Sequence, residues 1–199
     1  MLSLILSCAA LVPQGVPVNS TVVINEFIAA DGGSDDRNFV ELYNKTSSDI
    51  DITDWKLVHP KPGGSSSELV FTAPMPGVRY VIPANGYFVI GDTIVPGVLN
   101  GGIDKGNFAF SDNTAAFQLF DSNDNIMDVV TYQSDQGGGW APSFSEGQGI
   151  WGRLIAADGF EASYQRTQDG LDTDNNGYDF SLVFPWTPNA PNFPQKSVT

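Results

Sequence analysis

Residues 38–57 read NFVELYNKTSSDIDITDWKL, and apolar side chains alternate with polar ones in both halves of this stretch. Val40 and Leu42 alternate with Glu41, and two isoleucines flank Asp51 in the same way. Successive side chains of an extended chain point to opposite sides, so this pattern places the apolar residues on one face. The stretch therefore predicts two half-buried antiparallel strands.

The second of these strands changes phase in its middle. Its two isoleucines occupy even positions, whereas the next apolar residues, Trp55 and Leu57, occupy odd ones. A bulge or tight turn shifts the phase by one residue and returns the side chains to the same face. We therefore expect such an irregularity at Thr53-Asp54.

Short runs rich in Val, Ile, Phe and Tyr recur along the chain between clusters of turn-forming residues. Such runs, without a sustained helical period after residue 20, are typical of an all-β protein. The number of runs suggests a β-sandwich or a small barrel. The predicted strands are Val22–Phe27, Asn38–Tyr43, Ile50–Leu57, Leu69–Thr72, Tyr80–Pro83, Tyr87–Ile90, Ala115–Phe120 and Ile126–Tyr132.

The clearest local feature is a hairpin between the last two runs. Phe117 and Leu119 share one face against Gln118, and the turn-forming segment Asp121–Asn125 follows them. A short segment rich in Asp, Asn and Ser between two alternating runs predicts a β-hairpin.

The composition of the 199 residues limits the available functions. Lys and Arg number 9 against 23 Asp and Glu, which gives a formal net charge of −14. A nucleic-acid partner requires clustered basic residues, so we expect no DNA or RNA binding. One Cys and one His leave no material for a Cys/His zinc site, a disulfide framework or a Cys–His nucleophile pair.

The amino-terminal segment Leu2–Val12 is apolar and is followed by Pro and Gly residues that break a helix. It is shorter than the ~20 residues that span a bilayer, so we expect residues 1–20 to be an export signal with a short linker. Ile5–Cys8 also resembles a bacterial lipobox, whose Cys becomes a lipid anchor; alternatively, Cys8 is removed with the signal. The sequence thus predicts a secreted or envelope-associated protein without a transmembrane span.

A glycine-rich loop is expected after Tyr132. Residues 136–152 contain six glycines, with Trp140 and Trp151 between them. Either these tryptophans cap the end of the core, or they form an exposed aromatic platform for a ligand such as a glycan. The rest of the chain, rich in Asp, Asn and Pro, is expected to be an irregular tail.

Six sequence elements follow one another at characteristic spacings: VINEF (23–27), FVELYN (39–44), IDITDWKL (50–57), IPANGYFVI (82–90), FQLFD (117–121) and NIMDVV (125–130). In order and spacing they resemble the lamin tail domain family. The ending resembles that of bacterial members, with Arg166, DTDNN at 172–176, Asp179-Phe180 and TPNAPN at 187–192.

The resemblance implies an immunoglobulin-like antiparallel β-sandwich that acts as a binding or scaffolding module. It implies one domain over residues 21–199, with the core strands in 22–132 and a loop and irregular tail in 133–199. The chain departs from the family at Asp54, where members usually have Gly before the Trp. Bacterial members are mostly without assigned activity and are often fused to exported hydrolases and nucleases.

The tail contains one candidate metal site. Residues 172–177 read DTDNNG, which fits the start of a calcium loop, with oxygen-bearing side chains at alternate positions followed by Gly. The ligands would be Asp172, Asp174 and Asn176, with Asp179 adding a carboxylate. The twelfth position is Val where a calcium loop has Glu, so a polar turn without metal is the alternative.

Catalytic chemistry has little support in the sequence. His59 is the chain's single candidate base, and it precedes a Pro-, Gly- and Ser-rich segment, residues 60–67, expected to be a loop that cannot hold a serine in register. A carboxylate pair for hydrolysis is a third alternative, because 23 acidic residues allow many pairs in space. Asn25 and Glu26 are expected to bind neighbouring backbone.

These observations lead to three hypotheses. The first is an exported binding or structural module of lamin tail domain type, without catalysis, whose partner is a protein or a glycan. The second is a calcium-dependent carbohydrate-binding module that uses Trp140 or Trp151 as a stacking platform. The third is an extracellular hydrolase built on two carboxylates.

Overall fold

A computed structural model describes residues 20–29, 37–72, 75–98, 102–104, 110–111, 114–133, 145–151 and 162–193. In these residues the chain is almost entirely β, and most neighbouring strands run antiparallel, which confirms the predicted fold class. No helix in this described part of the chain has the length and apolar composition of a membrane span.

The described residues form thirteen strands and one short helix: β1 Val22–Ile28, β2 Phe39–Asn44, β3 Ile50–Asp51, β4 Lys56–Pro60, β5 Ser66–Val70, β6 Val81–Ile82, β7 Tyr87–Gly91, β8 Ile103–Asp104, β9 Ala115–Phe120, β10 Ile126–Gln133, β11 Ile150–Trp151, β12 Ser163–Arg166, α1 Asn176–Asp179 and β13 Phe180–Val183. Among these residues, the first sheet has the order β13-β12-β1-β2-β7-β8 and the second the order β11-β10-β9-β4-β5, while β3 and β6 pair separately. The β7–β8 and β10–β11 pairs are parallel.

Strand β1 lies inside the first sheet and is buried along its whole length. Ile24 and Phe27 both belong to the main core although they differ in parity. The pairing with β2 shifts between Ile24 and Glu26, so a bulge at Asn25 returns the apolar side chains to the core face. The alternation of residues in β1 gives no sign of this bulge.

Phe27 joins the two sheets through an aromatic cluster. Its ring centre is 5.4 Å from that of Phe117 and 5.5 Å from that of Tyr132, both on the second sheet. On its own sheet it stacks on Tyr164 at 5.5 Å and meets Phe180 edge to face at 5.8 Å. Each such aromatic pair contributes roughly 0.5–1.5 kcal/mol beyond the burial of its area.

The structure corrects the expectation of an irregular tail. β12 pairs with β1 and β13 pairs with β12, so two stretches of the tail complete the first sheet. Tyr164 and Phe180 also belong to the main core, which therefore extends beyond residues 22–132. The sequence conceals β12, which reads SYQR, because its buried polar side chains are stabilised by hydrogen bonds rather than by apolar character.

The irregularity expected at Thr53-Asp54 is present. Asp54 has a φ of 64°, and the turn divides the predicted strand Ile50–Leu57 into β3 and β4. Ile52 and Trp55 lie on either side of the turn and are both buried in the main core.

Two hairpins build most of the second sheet. The predicted β9–β10 hairpin is confirmed, and the Asp121 N–H donates to the Asn125 carbonyl at 2.9 Å. The expected loop at residues 60–67 is mostly a second hairpin, in which His59 of β4 pairs with Ser67 of β5. Serines that suggested a flexible loop therefore belong to a paired strand.

The C-terminal segment covers the other face of the first sheet. Glu41 of β2, expected on an exposed face, is fully buried, and the Asn189 N–H donates to its Oε2 at 2.6 Å. The Thr187 N–H donates to Glu26 Oε1 at 2.7 Å. The prediction of a half-buried β2 is therefore corrected, because residues 187–192 cover the face that alternation assigns to solvent.

Candidate functional site

Arg166, the last residue of β12, has a fully buried side chain. Its Nε donates to the Ile24 carbonyl at 2.7 Å, and Nη1 donates to the Leu171 carbonyl at 2.6 Å. The guanidinium carbon lies 4.7 Å from the centre of the Phe180 ring, a cation–π contact. These contacts fix the orientation of a positive charge inside the fold.

Four carboxylates surround this guanidinium, and we name the group the Arg166 cluster. Asp128 Oδ2 is 2.8 Å from Nη2, while Asp179 Oδ2 and Asp172 Oδ1 are 3.2 and 3.5 Å from Nη1. Glu146 is the fourth carboxylate whose charge acts on Arg166. When all four carboxylates are ionised and the guanidinium is protonated, the cluster has a formal net charge of −3.

Burial makes this excess negative charge costly. Burial, together with the charges of Asp128 and Asp172, raises the pKa of Glu146 to about 9. Burial also raises the pKa of Asp128 to about 6, against the opposing effect of Arg166. Both shifts favour the neutral acid over the carboxylate at these two positions.

Asn176, one of the predicted calcium ligands, is fully buried and links α1 to β10. Its Oδ1 accepts from the Thr131 N–H at 2.9 Å. Its Nδ2 donates to the Val129 carbonyl at 2.9 Å and to Glu146 Oε2 at 3.0 Å. The amide of Asn176 is thus already engaged within the fold.

Asp179, a second predicted ligand, is also engaged. Its Oδ2 accepts from the Thr173 N–H at 3.0 Å as well as from Arg166, and its Oδ1 accepts from Thr173 Oγ1 at 2.7 Å. The carboxylate therefore closes the turn that contains Thr173.

Asp172 and Asp174, the other two predicted ligands, have unpartnered oxygens. The Asp172 side chain has no exposed area, and its Oδ2 accepts no hydrogen bond. Asp174 Oδ1 and Asn175 Oδ1 are likewise buried and without a hydrogen-bond partner. The structure also brings together Asp128, Glu146 and Asp172, with one oxygen of each within 4.8 Å of the other two.

Asp128, Glu146 and Arg166 are members of this site that the sequence motifs do not predict. One signal was available: Asp128 is in phase with Val130 and Tyr132, which both face the core. In β12, Arg166 lies two residues after Tyr164, a core residue, and therefore on the same face of the strand. Glu146 lies outside any strand and gives no such signal.

A second candidate site is a cleft of about 450 Å³ lined by residues of β11 and β13. β11 lies at an edge of the second sheet and β13 at an edge of the first. Trp151 lines the cleft and is 70% exposed, so it does not cap the core. Trp140, the other predicted platform residue, lies outside the described residues.

His59 is a buried core residue of β4. Its Nδ1 is 2.8 Å from the Ala116 carbonyl, and its Nε2 accepts from the Ser111 N–H at 2.9 Å. The ring stacks on Phe117 at 4.7 Å, and burial lowers its pKa to about 4. Each ring nitrogen is hydrogen-bonded to a backbone group, and these bonds suit the neutral form of the imidazole. Neither nitrogen is therefore available to act as a catalytic base.

Two sheets, joined by an aromatic core and built mostly from antiparallel pairs, define the class of this protein as an immunoglobulin-like β-sandwich. The family model described as Lamin Tail Domain matches residues 16–134, and the chain belongs to that family. The family consists of immunoglobulin-like structural domains that are not typically enzymes. A comparison with curated proteins gives no significant match.

Proposed function

We propose that this protein is an exported, non-catalytic binding module whose ligand occupies the cleft between β11 and β13. The observation that carries the proposal is the 70% exposure of Trp151. Indole has a large apolar area, and binding surfaces commonly use such rings to contact a ligand. Trp151 is accompanied in the cleft by Leu182, which is 49% exposed.

A carbohydrate is the ligand class that the cleft favours. Trp151 supplies a plane on which the apolar face of a sugar ring can stack, while Gln148 and Ser181 line the same cleft with polar groups for hydroxyls. An apolar plane beside a few polar groups suits a ligand that has both characters. The more specific proposal is therefore a carbohydrate-binding module.

Binding to a glycan array and to soluble polysaccharides in affinity gels tests this function. We expect the wild-type protein to bind without hydrolysing its ligand, and Trp151→Ala to weaken binding about tenfold or more without changing the melting temperature. Tyr178→Ala is the matched control, because Tyr178 is 77% exposed but does not line the cleft.

Each part of the proposal has its own contrary result. The absence of binding to any glycan on the array would contradict the proposal that the ligand is a carbohydrate. Undiminished binding by Trp151→Ala would contradict the proposal that the ligand binds in this cleft. Turnover of a bound glycan would overturn the non-catalytic role.

Export is supported by the apolar segment Leu2–Val12 and the helix-breaking residues after it. Fractionation of a bacterial host that expresses the full chain should place the protein outside the cytoplasm, and deletion of this segment should retain it inside. Cys8→Ala distinguishes a lipid-anchored protein from one whose Cys8 is removed with the signal. If Cys8 carries a lipid anchor, the variant loses its association with the membrane. Cytoplasmic retention of the intact chain would overturn export.

A further inference from the structure

We propose that Asp128, Glu146 and Asp172 form a divalent cation site, and that the cation is calcium. The three residues come from separate parts of the chain: β10, the segment before β11 and the turn after β12. This set differs from the continuous loop that the sequence indicated, and it does not depend on the cleft at Trp151.

The spacing of the carboxylate oxygens fits calcium. One oxygen of each residue lies within 4.8 Å of the other two. Calcium binds oxygen ligands at about 2.3–2.6 Å, so two ligands on opposite sides of the ion are about 5 Å apart. The three carboxylates can therefore contact one ion with little rearrangement of the surrounding strands.

An unpartnered oxygen points to a missing ligand independently of the spacing. The side chain of Asp172 is fully buried, yet its Oδ2 accepts no hydrogen bond. A buried carboxylate oxygen without a donor is unfavourable, because it has lost its hydration without replacement. A cation beside Asp172 would satisfy this oxygen.

Two further unpartnered oxygens lie in the turn that contains Asp172. Asp174 Oδ1 and Asn175 Oδ1 belong to the same turn as Asp172 and are also buried without a hydrogen-bond partner. Calcium takes six to eight oxygen ligands, and carboxylates with amide oxygens are its common donors. All these donors are oxygens, which favours calcium over zinc.

Charge gives a third argument. With all four carboxylates ionised and Arg166 protonated, the Arg166 cluster has a formal charge of −3, which a divalent cation reduces to −1. Bound calcium would also hold together β10, the segment before β11 and the turn after β12. The site is thus structural in character: it ties the last part of the first sheet to the second.

Calorimetric titration of calcium chloride into the chelator-treated protein tests the site directly. We expect one calcium ion per chain. In millimolar calcium the melting temperature should exceed that in EGTA by about 5 °C or more, if the free ion is a hundredfold above its dissociation constant. The absence of both a binding isotherm and a thermal shift in the wild-type protein would overturn the proposal.

Two substitutions locate the ion. Asp172→Asn and Glu146→Gln should abolish the calcium-dependent rise in melting temperature. In EGTA they should remain folded and melt at or above the wild-type temperature, because each places a neutral amide of the same shape in a cluster that has more carboxyl groups than its one guanidinium can balance. Glu68→Gln, a change of the same kind at an exposed position of β5, should retain the full rise.

The substitutions remain informative if one variant folds poorly. Circular dichroism in EGTA identifies such a variant, and the other variant then locates the ion. Wild-type calcium affinity in a folded Asp172→Asn or Glu146→Gln would overturn this placement. Loss of the thermal rise in Glu68→Gln would overturn it as well, since the effect would then reflect general surface charge.

Discussion

Asp54 lies in the left-handed region of backbone conformation, with a φ of 64°. Its N–H donates to the Phe71 carbonyl at 2.8 Å, so the strand that follows depends on this turn. Glycine adopts a positive φ without steric cost, and Asp tolerates it better than most residues do. The departure from the Gly usual in the family is therefore compatible with the same turn.

We predict that Asp54→Gly changes the free energy of unfolding by less than about 1 kcal/mol, whereas Asp54→Val lowers it by about 1–2 kcal/mol. A β-branched side chain is strained at this φ, while the exposed position offers Val no compensating burial. Urea unfolding at equilibrium measures both values. Equal stability of the Gly and Val variants would contradict the backbone argument.

His59 provides a second prediction at this scale. Burial lowers its pKa to about 4, below the usual value of about 6.5. Because the unfolded chain then binds a proton that the folded chain does not, His59 lowers the stability of the fold as the pH falls from about 6.5 to about 4. Above this window its contribution is constant.

Nuclear magnetic resonance can follow this histidine without ambiguity, since the chain contains one. We expect the imidazole to stay neutral down to about pH 5, with the proton on Nδ1 facing the Ala116 carbonyl. A titration midpoint near the usual value of about 6.5 in the folded protein would contradict its burial.

At the scale of the element, β12 shows why a strand can escape prediction. Its neighbours in the sheet, β1 and β13, read VVINEFI and FSLV and contain more apolar residues, whereas β12 reads SYQR. Ser163 Oγ and Gln165 Nε2 donate to Glu26 Oε1, at 2.5 and 3.3 Å, and Arg166 contacts carboxylates. The strand is thus stabilised by polar groups from distant segments, which alternation of hydrophobic residues cannot reveal.

The local elements of the fold could be predicted because their causes are local. The hairpin at Asp121–Asn125 and the turn at Thr53-Asp54 follow from turn residues and from the phase of neighbouring side chains. The Arg166 cluster depends on pairing between distant strands. Of the three carboxylates that the structure brings together, only Asp172 was among the predicted ligands. Asp128 and Glu146 are distant from it in the sequence and lie beside it because the two sheets pack together.

Two tyrosines test whether the tail belongs to the core. Tyr164 of β12 is buried and stacks on Phe27, whereas Tyr178 of α1 is 77% exposed. We predict that Tyr164→Ala lowers the free energy of unfolding by about 3 kcal/mol and that Tyr178→Ala changes it by less than about 0.5 kcal/mol. Chemical denaturation measures both. Similar small effects would mean that β12 does not share the core.

At the scale of the whole molecule, two buried glutamates make stability depend on pH. Burial raises the pKa of Glu26 and, with the added charge of Glu26, raises the pKa of Glu41 further. The Asn25 side chain bridges Glu41 and the nearby carboxylate of Asp169, which accepts from the Tyr87 hydroxyl. A proton on Glu26 or Glu41 therefore stabilises the folded chain.

The sign follows from the direction of the shift. As the pH rises, a carboxyl group with a raised pKa keeps its proton in the folded state after the unfolded chain has lost it. Its contribution to the free energy of unfolding is therefore complete below about pH 4.5 and is lost as the pH rises through the pKa of the folded state. We predict that the melting temperature falls as the pH rises from about 4.5 and that Glu41→Gln reduces this fall.

Thermal melts across this pH range, in EGTA, provide the measurement. Glu68→Gln is the matched control at an exposed position of β5 and should leave the profile unchanged. An identical pH profile for the wild type and Glu41→Gln would show that Glu41 does not hold the proton.

The position of β1 between β2 and β12 has a consequence for folding during synthesis. Ile24 and Arg166, which contact each other across these strands, are 142 residues apart in the chain. Such distant contacts form slowly, because a long loop must close before they add stability. During translation the first sheet cannot be completed until β12 and β13 have left the ribosome. β1 therefore lacks one of its two neighbouring strands while more than a hundred further residues are translated.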